Sequence, residues 1–324
     1  MFTSAIYRQL SCVEAWMKLQ HFESFDSYAA ALFHADARVF LLGSRDGGWR
    51  TGHLDVDGID VQRGVTQVPN LCEASGWATH LTLLLPEPAP ARAWLNGVPF
   101  SQDSMGVLAP GKGFVFRAAG PNDWISIALP LASDLLIDDT FAAQTLRRWA
   151  NAADMVKTDP VHVAALREAA LLSMAPACPP ALGRRLIEQR LRNLIAARVP
   201  HDKNMGRPSV RLPKVCAVAL AIFRDAQRAV HVDELCRRMK ISERSLRDVF
   251  QVCFGMSPAH YLALRKLHDV YLDLAYSTHE QTVADCFLQH GYPYSTYAAA
   301  RYHALFLETP SETRRRLRPH INPS

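Results

Sequence analysis

The chain has 324 residues, 49% hydrophobic and 21% charged, a balance that excludes a disordered or fibrous protein and leaves room for two or three domains. Its net charge of +5 is unevenly placed: residues 207–318 hold 17 Lys/Arg against 11 Asp/Glu, and the remainder holds 19 against 20. The positive excess therefore lies wholly in the C-terminal third, where it fits a polyanionic partner.

The N-terminus lacks the charged start and apolar run of a signal peptide. The longest apolar run, Val215 to Phe223, is far short of the ~20 residues that span a membrane. A cytoplasmic protein with no membrane partner is expected. The 7 cysteines contain no C-x-x-C pair and suggest neither a disulfide framework nor a zinc cluster. Cys216, Cys236, Cys253 and Cys286 are expected as small core side chains of a protein from a reducing compartment.

Residues up to about 35 are weakly patterned, compatible with a short helix or an edge strand. From Arg38 to Pro130 short apolar runs follow, starting at Val39, Thr79, Arg92, Met105, Gly113 and Trp124. Turn signals such as Asp57-Gly58, Asn96-Gly97 and Pro110-Gly111 separate them. This texture predicts a β-sandwich or small, cupin-like barrel able to hold one small ligand. His34, His53 and His80 are isolated from one another in sequence, and no H-x-H pair exists, so neither a metal site nor another cofactor is expected. Trp49, Trp77, Trp94 and Trp124 suit core packing, and a pocket lining equally.

Beyond Pro130 the pattern becomes helical, interrupted near Asp159-Pro160 and again by the Pro-rich stretch Ala175 to Gly183. Arg184 to Val199 presents an apolar stripe of Leu186, Ile187, Leu191, Leu194 and Ile195, suited to subunit contact or to packing within the chain. Pro200 to Pro213 reads as a linker. The expected organisation is α+β: a β-rich effector-sensing domain over 1–137, a helical connector over 138–199, a linker over 200–213 and an all-helical domain over 214–318.

In that last domain, Lys214 to Ala229 predicts one helix, and His231 to Gly255 two short helices around a tight turn. Ser242 is a natural N-cap and Gly255 a natural terminator. Leu246, Val249, Phe250, Cys253 and Phe254 form an apolar stripe, while Glu243, Arg244, Arg247, Asp248 and Gln251 lie opposite. These polar residues include side-chain types that read base edges in a major groove. Ser257-Pro258 opens a helix to about Ala275. A second copy of the two-helix pattern follows, with Thr282 to His290, the turn at Gly291, and Tyr294 to Phe306. Two such units joined by a helix of that length suit successive major-groove segments on one face of double-stranded DNA.

The stretches DELCRRMKISERSLRDVFQVCFGMSPAHYLALRKL and GYPYSTYAAARYHALFLETPSE resemble the paired helix-turn-helix domain of AraC-family bacterial transcription regulators over about Leu212 to Arg316. The second unit is most similar to regulators of the ethanolamine-utilisation type. The resemblance implies a sequence-specific, non-enzymatic transcription regulator with double-stranded DNA as partner. It also implies a small-molecule effector in the N-terminal domain, with RNA polymerase and a second copy as further partners. By position it implies that Arg244 and Arg247 face bases, with Ser242 and Ser245 available to phosphate or base, Gln251 on the same surface, and Ser295, Thr296 and Ala299 as the matching set in the second unit. Ala300 replaces a long polar or basic side chain, and Arg301, displaced by one residue or about 100°, is expected at phosphate. Arg265, Lys266 and the run Arg314, Arg315, Arg316 and Arg318 are candidates for nonspecific phosphate contact. Lys240 stands where a turn glycine is usual. The alternative is a barrel-fold enzyme with an accessory nucleic-acid module, but neither a nucleophile elbow nor a phosphate-cradling loop supports it.

Overall fold

The computed structural model describes residues 19–33, 35–43, 48–87, 92–152, 155–197, 211–225, 230–276 and 281–317. His34, most of the linker and Arg318 lie outside them.

The N-terminal part is a sandwich of two antiparallel sheets and not a closed barrel. The larger sheet contains β1 (Gln20–Phe22), β3 (Trp49–Asp55), β4 (Asp60–Thr66), β11 (Asn122–Pro130), β6 (His80–Pro86), β9 (Ser104–Leu108) and β12 (Met155–Lys157), in that spatial order. The smaller has the order β2 (Ala35–Leu41), β5 (Asn70–Gly76), β10 (Gly113–Ala118), β7 (Ala93–Leu95) and β8 (Val98–Pro99). The weakly patterned start yields both an edge strand, β1, and a helix, α1 (Phe25–Ala30), whose N-cap Ser24 accepts from the Ser27 amide.

Strands alternate their side chains between two faces, and here both faces of both sheets are covered. Val39, Cys72, Ala74, Leu84, Leu108, Phe114 and Phe116 fill the space between the sheets. The outer face of the larger sheet (Val61, Leu83, Met105, Ile125, Ile127) is covered by α2 (Asp134–Ile137), α3 (Phe141–Ala152), α4 (Pro160–Ser173) and α5 (Pro180–Ala196). Ile187, Leu191, Leu194 and Ile195 of α5 are buried in that core, so its stripe packs within the chain. The break before Asp159-Pro160 contains β12, which pairs with β9 and ties these helices into the sheet.

The outer face of the smaller sheet carries the C-terminal helices: α6 (Arg211–Asp225), α7 (Val232–Met239), α8 (Glu243–Cys253), α9 (Pro258–Tyr276), α10 (Val283–Gln289), α11 (Thr296–Phe306) and α12 (Pro310–Leu317). Phe40, Leu71 and Val115 of that sheet join Leu220, Phe223, Phe250 and Tyr261 in one core. The layer order is therefore helices, large sheet, small sheet, helices. α6 begins at Arg211, so the expected linker overlaps a helix whose first turn accommodates Pro213.

One expectation is corrected outright. Cys216 and Cys253 are not free core thiols but are joined in a disulfide between α6 and α8. Both lie on the apolar stripes by which those helices pack, and their Cα atoms are 6.7 Å apart, within the span a disulfide bridges. Sequence spacing says nothing about this, because the two residues meet only through tertiary packing.

Candidate nucleic-acid interface and its link to the sandwich

The first unit is α7, the turn and α8. Lys240 closes α7 in the left-handed conformation, φ 54°, where glycine is the residue without strain. Ser242 caps α8, its hydroxyl accepting the Ser245 amide at 3.2 Å. Leu246, Val249, Phe250 and Cys253 are buried, which fixes the rotation of the helix about its axis and turns Glu243, Arg244, Arg247, Asp248 and Gln251 to solvent. Arg247 pairs with Glu243 at 2.7 Å, one turn earlier. Both groups are well exposed, so the pair contributes little stability and opens readily toward a stronger acceptor. The C-terminal turn of α8 faces the sandwich: a Cβ on Gly97, in the β7–β8 turn at φ 81°, would come within 2.7 Å of Val252. The N-terminal end of α8, with Ser242, Glu243, Arg244 and Ser245 exposed, is left clear.

In the second unit Thr282 and Asp285 form a reciprocal capping box at the start of α10. Gly291 takes the turn at φ 64°. The following helix starts two residues later than the sequence pattern suggests. Ser295 is its N-cap, with the hydroxyl accepting the Ala298 amide at 3.1 Å, so Ser295 serves backbone capping first. Ala298, Tyr302 and Phe306 face the core. Tyr294, Thr296, Tyr297 and Ala300 are exposed, Ala299 and Arg301 partly so, and the Arg301 guanidinium lies 5.9 Å from the Tyr297 ring centre. This surface is aromatic and small where that of α8 is charged.

The connecting helix α9 has 19 residues, about 28 Å at 1.5 Å per residue. Arg265, expected at phosphate, is instead the central ion-pair partner of Glu73 on β5; the two side chains are 13% and 9% exposed. Its guanidinium also lies 4.5 Å from the Phe223 ring centre, so the docked arrangement removes it from any phosphate. Lys266 donates to the Gly291 carbonyl at 2.9 Å and braces the second turn. Arg316 is held by Glu308 at 2.9 Å, and Arg314 donates to the Cys286 sulfur, while Arg315 is exposed.

His268, on α9, joins the two parts of the molecule. The Leu41 amide donates to its Nε2 at 2.9 Å, and its Nδ1 lies 3.0 Å from the Leu264 carbonyl. These contacts fix a neutral imidazole with the proton on Nδ1. Burial pushes its pKa down to about 3, against the opposing pull of the Leu264 carbonyl. Phe25, Phe40 and Phe306 surround the ring. Nearby, Arg38 pairs with Asp269 at 2.5 Å, and the Tyr276 hydroxyl donates to Asp26.

A cavity of about 70 Å³ lies between the sheets. The strands that line it also hold the C-terminal helices. On β5, Cys72 and Ala74 face the cavity while Leu71 and Glu73 face outward. On β10, Phe114 and Phe116 face inward, with Val115 outward against the helical core. α1 repeats the arrangement, with Tyr28 at the cavity and Phe25 against Tyr271 and Phe306. Of Trp49, Trp77, Trp94 and Trp124, only Trp124 is among the described residues lining the cavity, its indole N–H donating to Tyr28 at 3.2 Å. Its ring lies across β4 because residue 64 is glycine; a Cβ there would fall 2.2 Å from the indole. Trp49 is core, Trp94 is stacked under Arg117, and Trp77 is exposed.

His53 and His80, separate in sequence, face one carboxylate: Asp60 lies 2.7 Å from His53 Nε2 and 4.0 Å from His80 Nε2. Among the described residues no group of three or more His, Cys, Asp or Glu is arranged to hold a metal ion. No described helix is long and apolar enough to cross a membrane.

Residues 235–316 match the model of a helix-turn-helix domain family. No curated protein matches the sequence. Among solved structures, the chain is similar to the AraC-like transcriptional activator CuxR, at 15% identity and a TM-score of 0.42, covering 79% of this chain and 96% of that one. It is also similar to ToxT from Vibrio cholerae strain SCE256 with bound unsaturated fatty acid, at 9% identity and a TM-score of 0.28, covering 90% and 99%.

Proposed function

We propose that the chain is a sequence-specific, DNA-binding transcription regulator of the AraC type that responds to a small molecule held in its N-terminal sandwich. The observation that carries this reading is the match of residues 235–316 to a helix-turn-helix domain, together with the exposed polar face of α8. Arg244, Arg247 and Gln251 are the residues we assign to base edges, and Ser242 and Ser245 to phosphate or base. Thr296, Ala299 and Arg301 form the weaker second contact, with Ser295 at the helix start.

Ligand response follows from the two-faced smaller sheet. A ligand that shifts Cys72 or Phe116 also shifts Glu73 and Val115, and hence the seat of α6, α8 and α9. Regulation requires that ligand affinity differ between the docked arrangement and the one that engages DNA. We further assign RNA polymerase as a partner, a cytoplasmic location, and self-association through the outer helices, which expose Ile137, Phe141 and Val161. The segment GYPYSTYAAARYHALFLETPSE supports a narrower likeness to ethanolamine-type regulators in the DNA-binding part alone. Selection of duplexes from a random pool tests the function: recovery of one preferred sequence with strongly salt-dependent affinity is expected, and binding without sequence preference overturns it.

A further inference from the structure

The cavity between the sheets carries chemistry that narrows its occupant, on the reading that the sandwich binds an effector. Among the described residues, no Asp, Glu, Lys, Arg or His lines it. Its polar groups are Tyr28, Gln62, Asn70, Cys72, Thr82 and Ser126. Gln62 is fully engaged: its amide donates to the Ala31 carbonyl and the Thr51 hydroxyl, and its oxygen accepts the Phe33 amide. Asn70 donates to Thr66 and to the Val68 carbonyl. Burial holds the Cys72 thiol neutral, pushed up to about 12, and raises Tyr28 in the same sense.

Thr82 differs from these. It is 6% exposed, and its hydroxyl has no hydrogen-bond partner. A buried polar atom without a partner is costly and calls for a water or a ligand. The remaining lining is apolar, with Leu84, Leu108, Phe114 and Phe116 prominent. At the edge Phe33 is both cavity lining and 42% exposed, stacked on His53 at 3.8 Å. The volume of about 70 Å³ is roughly half the ~150 Å³ of an apolar cavity that holds benzene. An occupant of more than a few non-hydrogen atoms therefore extends past Phe33.

We infer that the sandwich binds a small uncharged molecule, apolar over most of its surface, with one oxygen or nitrogen hydrogen-bonded to the Thr82 hydroxyl. A charged group in this lining has no counter-ion among the described lining residues and loses its hydration. A short-chain amine with its protonated group seated in this lining is therefore excluded, although the DNA-binding part resembles ethanolamine-type regulators.

The test is calorimetry and Trp124-sensitive fluorescence on the full chain without DNA, using 1-pentanol, pentanoate and pentylammonium, which share a chain length and differ in charge. Saturable binding of 1-pentanol is expected, with both ions weaker by at least about ten-fold. Thr82→Val keeps the shape and removes the hydroxyl, and should weaken 1-pentanol by about five- to ten-fold. Ala74→Leu, which fills the cavity, should abolish binding. Equal or tighter binding of either ion, no saturable 1-pentanol binding, or an unchanged affinity in Thr82→Val overturns the inference. A parallel DNA titration separates the two ideas. Saturable 1-pentanol binding that leaves DNA affinity unchanged contradicts ligand control of DNA binding and leaves the cavity assignment intact.

Discussion

The two helix-turn-helix units share a backbone plan and differ in what they show to solvent. α8 presents Glu243, Arg244, Arg247, Asp248 and Gln251, whereas α11 presents Thr296, Tyr297 and Ala300, with Arg301 turned toward Tyr297. Their turns differ in the opposite sense. The first accepts strain at Lys240, φ 54°, and the second has Gly291 at φ 64°. The exposed charged chemistry is thus concentrated on the unit with the less favourable turn, while the second unit carries its own left-handed residue at the end of α11, Leu307 at φ 54°. On the function proposed above, recognition is assigned to the first repeat and positioning to the second, with α9 setting the distance between them.

The division predicts unequal effects of mutation. Arg244→Ala and Arg247→Ala should each cost about 1–3 kcal/mol of specific affinity, a bidentate base contact being worth that much, with relaxed base preference in fluorescence anisotropy. Thr296→Ala should cost less than about 1 kcal/mol, the net value of a typical neutral hydrogen bond. A larger loss at Thr296 than at either arginine would reverse the assignment.

In stability, a loss of comparable size is expected at the anchor of the first unit. Glu73→Gln leaves Arg265 charged and largely buried without its counter-ion, which should cost about 3 kcal/mol in urea unfolding. Faster amide exchange in α9 should accompany it. Loss confined to the β strands would mean that the ion pair does not hold the helices.

His268 gives a pH signature shared by both units. Its pKa is about 3 in the folded chain and ~6.5 when unfolded. Between those values the unfolded state binds more protons than the folded one. Stability therefore rises with pH across this window and falls on acidification below about 6.5, by up to ~1.4 kcal/mol per pH unit. His268→Gln should flatten the fall of Tm between pH 6.5 and 4.5. An unchanged slope would show that the imidazole is not buried neutral. The smallest effect is expected at the strained turn: Lys240→Gly should stabilise by at most about 1 kcal/mol, detectable as a small rise in Tm. A fall in Tm would mean that the lysine side chain is needed there.

Much of this was legible before the fold. The apolar stripe of α8, its Ser242 cap and the terminal Gly255 are local features, set by spacing and backbone preference. Three strands were hard to see, since WRTGHLD, DVQRGVT and NLCEASG are interrupted by polar residues and glycine. Their places follow from pairing with neighbours, as in β4 against β3 and β11. The fate of Arg265 was also hidden, because a basic residue on a helix face looks alike whether a phosphate or a buried Glu73 awaits it. The Cys216–Cys253 bond, the convergence of His53 and His80 on Asp60, and the cavity around Thr82 likewise depend on contacts distant in sequence. Local chemistry marked the surface we assign to DNA reading, and tertiary packing determined how that surface is joined to the sandwich.

The most direct test of unequal reading by the two units is selection of duplexes from a random pool by the wild-type chain and by the Arg244→Ala, Arg247→Ala double variant. The expected wild-type sequence has strong base preference in one major-groove segment and weak preference about one helical turn, ~34 Å, away, and the double variant loses the strong segment alone. Retention of the strong segment by the double variant would contradict the assignment of base reading to α8.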